Sequence, residues 1–310
     1  MDSFEKSAEV VISKCVNLKQ GEKALILCDY STEKIAQKLF EKASEKTEAV
    51  LVKTKPTERH GVEPLKEVAY LMSKFDVVLA PTKHSLTHTK ARQNATKKGA
   101  RVVTMPGITN KIFEKTIDID YKQLKKEVDE LAKEMRKAKK IRVQSINGTD
   151  FVFENDASRV MDDDNGLFLK KGDYGNLPAG EVYVAPIEKT GKGVIVIDSM
   201  EDICKPRTKL LVKKGKVMEV EGDDKFREKL WKLKNARNIA EFGIGLNPKA
   251  TVVGNTLEDE KVKGTCHFAL GSNFDFGGKV KAEVHWDGII MAPSIWFDEE
   301  KIMDKGELLL

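Results

Sequence analysis

Over residues 1–118, short apolar runs alternate with segments whose apolar positions recur at helical spacing. Residues 5–18 carry Val10, Val11, Cys15 and Leu18 on such a spacing, and Gly21-Glu22 then leads into a strand at 24–28. Ser31 is placed to cap a helix running through Ile35, Leu39 and Ala43, although Lys34 replaces the glutamate of a full capping box. A strand at 49–52, a helix at 64–75, a strand at 76–80, a helix at about 85–98 and a strand at 101–104 complete the pattern. Short apolar strands separated by helices predict an open parallel sheet covered on both faces.

The texture changes after a long charged helix at 120–139, whose apolar face is Leu124, Val128, Leu131 and Met135. Asn147-Gly148 between the alternating runs 141–145 and 151–153 is a hairpin signal. Further strands are expected at 193–197, 209–212, 217–220 and 284–290, with one clear helix at 223–234. The fold class expected is α/β plus α+β. An N-terminal open parallel α/β domain over 1–138 is followed by a mainly antiparallel β domain over 139–310, the border falling in the charged helix.

A chain of 310 residues with 40% hydrophobic content can fill two cores. The net charge is only +5, from 54 basic and 49 acidic residues mixed along the chain, so the lysines read as solvated helix faces and no nucleic-acid partner is expected. No basic segment followed by an apolar run opens the sequence, and no apolar stretch approaches the roughly 18 residues of a membrane span. A soluble, cytoplasmic protein without a membrane partner is the expectation. Cys15, Cys28, Cys204 and Cys266 are scattered and read as reduced, mostly buried side chains.

The chemistry concentrates in residues 254–287, which hold Glu258-Asp259-Glu260, Cys266-His267-Phe268 and His285-Trp286-Asp287. On a strand, His285 and Asp287 point the same way, while Cys266 and His267 point to opposite faces. Two imidazoles and a carboxylate converging from neighbouring strands make a facial set for a divalent ion; the alternative is a hydrogen-bonded core histidine beside an ordinary polar strand face. Glu241 lies in a small, apolar run, where a charge is costly unless paired or metal-bound. Glu181 enters a strand directly after a Gly/Pro turn. Glu258-Asp259-Glu260 reads as an acidic helix start. His84 and His88 lack the glutamate of a zinc-binding helix and mark another helix N-terminus. The expected sheet C-termini carry no G-x-G-x-x-G or P-loop, so no nucleotide is assigned.

The order Pro-x-x-Glu-Val-Tyr-x-Ala-Pro, Glu241, Cys-His-x-Ala-Leu-Gly, His-x-Asp resembles the metallo-aminopeptidases of the M29 family (aminopeptidase T and S type) over most of 140–310. The resemblance implies metal ligands Glu181, Glu241, His267, His285 and Asp287, with Glu181 or Glu241 also shuttling a proton. It implies a homodimer that removes N-terminal residues from small peptides with Zn, Co, Mn or Mg. The family's tyrosine position is Phe274 here, and Tyr183 or Tyr174 are the candidates to replace that oxygen. A dihydroxypyridine ring-cleaving dioxygenase has a similar scaffold, and His267, His285 and Asp287 would satisfy its single Fe(II). A non-catalytic family member is the third reading.

Overall fold

The computed structural model describes residues 2–162 and 164–310. In chain order it begins with α1 (Ser3–Val10), which runs on through a π turn over Val11–Cys15. Strands and helices then alternate: β1 (Lys23–Asp29), α2 (Glu33–Ser44), β2 (Glu48–Thr54), α3 (Lys66–Met72), β3 (Val77–Thr82), α4 (Lys90–Lys97), β4 (Arg101–Pro106), α5 (Asn110–Thr116) and α6 (Tyr121–Lys137). Next come β5 (Lys140–Gln144), β6 (Asp150–Glu154), β7 (Val160–Met161), β8 (Tyr174–Asn176), β9 (Glu181–Val184), β10 (Lys192–Ile197), β11 (Thr208–Lys213) and β12 (Lys216–Glu221). The remaining elements are α7 (Asp224–Lys232), β13 (Ile239–Gly245), α8 (Thr256–Asp259), β14 (Thr265–Gly271), β15 (His285–Met291), β16 (Ser294–Phe297), β17 (Glu300–Asp304) and β18 (Glu307–Leu308).

Two compact units result: Met1–Lys125 with Asp163–Ala179, and Lys126–Asp162 with Gly180–Leu310. The division falls within α6, ahead of the expected border at 138/139, and residues 163–179 return to the first unit. The physical reason for the return is β8, which pairs in parallel with β4 through Val102↔Tyr174, Val103↔Gly175 and Thr104↔Asn176. At three residues, β8 is too short to show a hydrophobic period of its own.

The first unit holds a parallel sheet of order β2-β1-β3-β4-β8. Strands β1 and β3 are buried almost end to end, as continuous apolar runs require when both faces are covered. Leu25, Leu27, Val78, Ala80 and Val102 form one core cluster with Val68 and Met72 of α3 and with Ala91 and Ala95 of α4. Ser31 does not cap α2. Its hydroxyl donates to Asp29 Oδ1, and Thr32 takes the cap position while its own hydroxyl donates to the Pro81 carbonyl at 2.7 Å. Helix α4 starts at Lys90 behind a Thr89 cap, so His84 and His88 lie in the turns before it.

The second unit is antiparallel. One sheet has the order β12-β11-β10-β6-β5-β16-β17-β18 and the other β15-β14-β13-β9-β7. The Asn147-Gly148 hairpin forms as expected, with Gln144 opposite Asp150 and Gly148 at φ 105°. Asp223 caps α7 by accepting from the Phe226 amide at 3.0 Å. Aromatic side chains join the two sheets: Phe151 meets Phe268 at 5.1 Å between ring centres, and Phe153 meets Phe242 at 5.4 Å. Among the described residues, no helix is long and apolar enough to cross a membrane. All four cysteines are buried and free.

Candidate metal centre

The register of β15-β14-β13-β9 decides which side chains meet. Gly245 faces Glu181, Gly243 faces both Tyr183 and His267, Ala269 faces both Glu241 and Asp287, and Gly271 faces His285. Residues paired across antiparallel strands share a face, and the side-chain period is two. Glu181, Glu241, His267, His285 and Asp287 therefore project from one face, over a floor of Gly243, Gly245, Ala269 and Gly271. The opposite face carries Val182, Phe242, Ile244, Cys266 and Phe268, all buried.

Glu181, Glu241, His267 and Asp287 are buried, while His285 keeps 33% of its side chain exposed and opens the cluster to solvent. His267 Nε2 lies 3.2 Å from Glu241 Oε1 and 3.5 Å from Glu181 Oε2. His285 Nε2 lies 3.3 Å from Glu241 Oε2 and 3.4 Å from Asp287 Oδ1. Glu241 thus stands between the imidazoles and belongs to both ligand-competent groups, Glu181–Glu241–His267 and Glu241–His285–Asp287. The two imidazoles and Asp287 expected around a single iron are spread over these two groups.

Three observations fit this cluster to a divalent cation. Metal bonds near 2.1 Å set neighbouring donor atoms about 3.0–3.4 Å apart, close to the spacings found here. His285 Nδ1 lies 2.8 Å from the Ser272 carbonyl, a bond that places its proton there and turns Nε2 inward as the donor. Asp287 Oδ1 is buried and makes no hydrogen bond, with only the His285 ring nitrogen near it at 3.4 Å, a costly state that a cation would relieve.

Without an ion, protons supply the positive charge. Burial pushes the Glu241 carboxyl up, but hydrogen bonds from His267 and His285 and their charges outweigh it and hold the group well below the usual carboxylate range. Burial pushes the His267 imidazole down, yet its bond to Glu241 and the charges of Glu181, Glu241 and Asp287 raise it to about 9. His285 is raised for the same reasons, with Asp287 its largest favourable partner.

Gly243 explains how an imidazole fits at the centre of the sheet. A Cβ added there would lie 2.2 Å from His267 Cε1 and 2.3 Å from Nε2, so the ring occupies the space a side chain would fill. Glycine on β13 is the sequence signal for this cradle. Lys261 was not foreseen. It is buried, with Nζ 2.5 Å from Glu181 Oε1 and 2.8 Å from Glu260 Oε1. Burial raises Glu260 to about 7 against the pull of Lys261, and the charge of Asp287 adds to the rise. Glu258 and Asp259 accept from the backbone amides of Thr251, Val253 and Gly254.

Of the aromatic candidates, Tyr183 is on the site face through its pairing with Gly243, and its ring lies 5.8 Å from that of Phe276. Phe276 in turn stands edge-on to the His285 ring at 5.7 Å. Phe274 is half exposed, with the Lys281 ammonium 3.8 Å from its ring centre. Tyr174 belongs to the first unit, where the Arg92 guanidinium covers its ring.

A family model described as NicX: 2,5-dihydroxypyridine 5,6-dioxygenase matches residues 4–310. The chain belongs to that family. It is similar to a solved 2,5-dihydroxypyridine dioxygenase from Pseudomonas putida KT2440, with a TM-score of 0.84, 17% identity, and coverage of 99% of this chain and 96% of that one. It is also similar to AmpT from Thermus thermophilus, with a TM-score of 0.71, 16% identity and 99% coverage of both chains. No curated protein matches the sequence.

These findings overturn the expectation of an aminopeptidase acting on peptides. The family match spans nearly the whole chain and names an oxygenase, while the likeness to AmpT extends to the fold. The physical reason is that carboxylates and imidazoles on this sheet suit either chemistry, so ligand types alone do not choose between hydrolysis and oxygenation. What stands is an enzyme family, a mixed α/β fold and a cluster suited to a divalent metal.

Proposed function

We propose that this protein is a metal-dependent dioxygenase that opens a dihydroxylated nitrogen heteroaromatic ring. The match of the oxygenase family across residues 4–310 carries the reading. The metal-competent cluster supports it, as does the aromatic pair in which Phe276 stands beside His285 and Tyr183 beside Phe276.

His267, His285, Glu241 and Asp287 would hold one Fe(II), which supplies the redox chemistry that lets triplet dioxygen react with a closed-shell ring. The Ser272 carbonyl fixes the tautomer and plane of His285, so its donor atom need not reorganise on loading. Glu241 stays ionised because an imidazole faces each of its two oxygens, which keeps it a competent ligand at neutral pH. The edges of Tyr183 and Phe276 offer an apolar contact to a flat ring.

The test is oxygen uptake by protein loaded anaerobically with Fe(II) and then given 2,5-dihydroxypyridine. Consumption of about one O2 per ring, with loss of the ring's ultraviolet band, is the expected result. Fully loaded protein that takes up no oxygen with any dihydroxylated pyridine or benzene would sink the reading.

A further inference from the structure

Lys261 is a buried cation of the second unit, at the edge of the cluster, to which the reading above gives no role. We propose that its ammonium is a built-in counter-cation that takes up the charge of Glu181 and Glu260, so that the cluster has room for a single divalent ion. The inference rests on the metal-binding reading of the proposed function and adds the identity of the group that limits the cluster to one ion.

The position of Lys261 is fixed by its backbone. Its amide donates to the Glu258 carbonyl at 3.0 Å, its carbonyl accepts from the Asn247 amide at 2.7 Å, and the Lys263 amide returns to the Asn247 carbonyl at 3.1 Å. Gly245 allows this clamp. A Cβ at Gly245 would lie 2.7 Å from the Lys261 carbonyl carbon and 2.3 Å from the Val262 oxygen, so only glycine lets the segment press onto β13. Gly245 pairs with Glu181 across the sheet, which brings the clamped lysine to the carboxylate. The side chain is 3% exposed, and both of its carboxylate contacts are within hydrogen-bond distance.

The electrostatic consequence concerns the group Glu181–Glu241–His267. Taken by composition, that group is a second divalent site sharing Glu241 with the first. Glu181 Oε1, however, already holds an ammonium, and a dication on the same carboxylate would face a fixed like charge inside a buried site. Repulsion there is poorly screened, and the lysine has no route to solvent by which to withdraw. A composition that reads as two sites thus functions as one.

The experiment counts ions on the full chain, stripped with chelator and titrated with Co(II), by calorimetry and by the cobalt d–d absorption. The wild type should bind about one Co(II) per chain, Lys261→Arg about one, and Lys261→Met about two, the new ion adding its own absorption band. Two ions on the wild type would overturn the proposal, and so would one ion on natively folded Lys261→Met. If Lys261→Met does not fold, Lys261→Gln replaces it under the same criteria. A wild type that binds no Co(II) would remove the metalloenzyme reading together with this one. One Co(II) per chain in a protein whose Fe(II)-loaded form takes up no oxygen would leave this proposal standing and the proposed function refuted.

Discussion

The two faces of the sheet β15-β14-β13-β9 are built from the same strands, residue by residue, and obey opposite rules. On the inner face Phe242 and Phe268 meet Phe151 and Phe153 with ring centres 5.1–6.2 Å apart. On the outer face, at alternate positions, buried carboxylates and imidazoles stand 3.2–3.5 Å apart over glycine and alanine. The inner face is a matter of volume and dispersion, so each residue there acts on the stability of the whole unit. The outer face is a matter of charge placement, where a group is retained although its burial costs energy.

The largest separable effect is expected from the inner face. Phe268→Ala removes a fully buried ring and should cost about 3–5 kcal/mol of unfolding free energy. Urea denaturation of the metal-free protein measures that loss. Co(II) affinity of the protein that remains folded should change far less, and a loss of affinity as large as the loss of stability would dissolve the contrast between the faces.

A smaller change at Gly243 should show the reverse. Gly243→Ala adds one methyl group where the His267 ring already sits, with Cε1 2.2 Å from the new atom. Crowding of this kind costs about 1–3 kcal/mol. Displacing the imidazole should lower Co(II) affinity by about 10–100-fold, the range found when the support of a metal ligand is lost. Calorimetric titration measures it, and unaltered affinity would mean that the glycine cradle does not position the ring.

The outer face was legible where the period of a strand exposes it. His285-x-Asp287 and Glu241 inside an apolar run are local patterns, and the structure gathers Glu181, Glu241, His267, His285 and Asp287 on one face. Lys261 was not legible, because it reaches Glu181 through a loop clamp and a close backbone approach at Gly245 that no periodicity reports. The return of 163–179 to the parallel sheet was hidden for a similar reason: β8 is held by pairing partners far away in sequence. The choice between hydrolysis and oxygenation was beyond reach of the ligand residues themselves, since both chemistries use the same donors on this scaffold.

The smallest effect is one of pH, and it distinguishes the faces without any mutation. On the inner face burial holds the Cys266 thiol well above its usual range, so of the two faces it is the outer one that responds to pH between acid and mild alkali. His267 is raised from 6.5 to about 9, so its contribution is complete below pH 6.5 and is lost as pH rises through 9. Glu241 is lowered from 4.5, so its contribution is complete above 4.5 and is lost only at more acid pH. Both describe one ion pair, whose stabilisation is therefore fullest between about pH 4.5 and 6.5 and declines on the alkaline side. Metal-free protein should accordingly melt at a lower temperature at pH 9 than at pH 6. A bound divalent ion replaces the imidazole protons, so loading should release protons at neutral pH and flatten that decline. Melting curves of the stripped and Co(II)-loaded protein across this range measure both effects. Equal slopes for the two forms would mean that the ion does not sit among these imidazoles, and that the charge on the outer face is balanced in the same way with metal as without it.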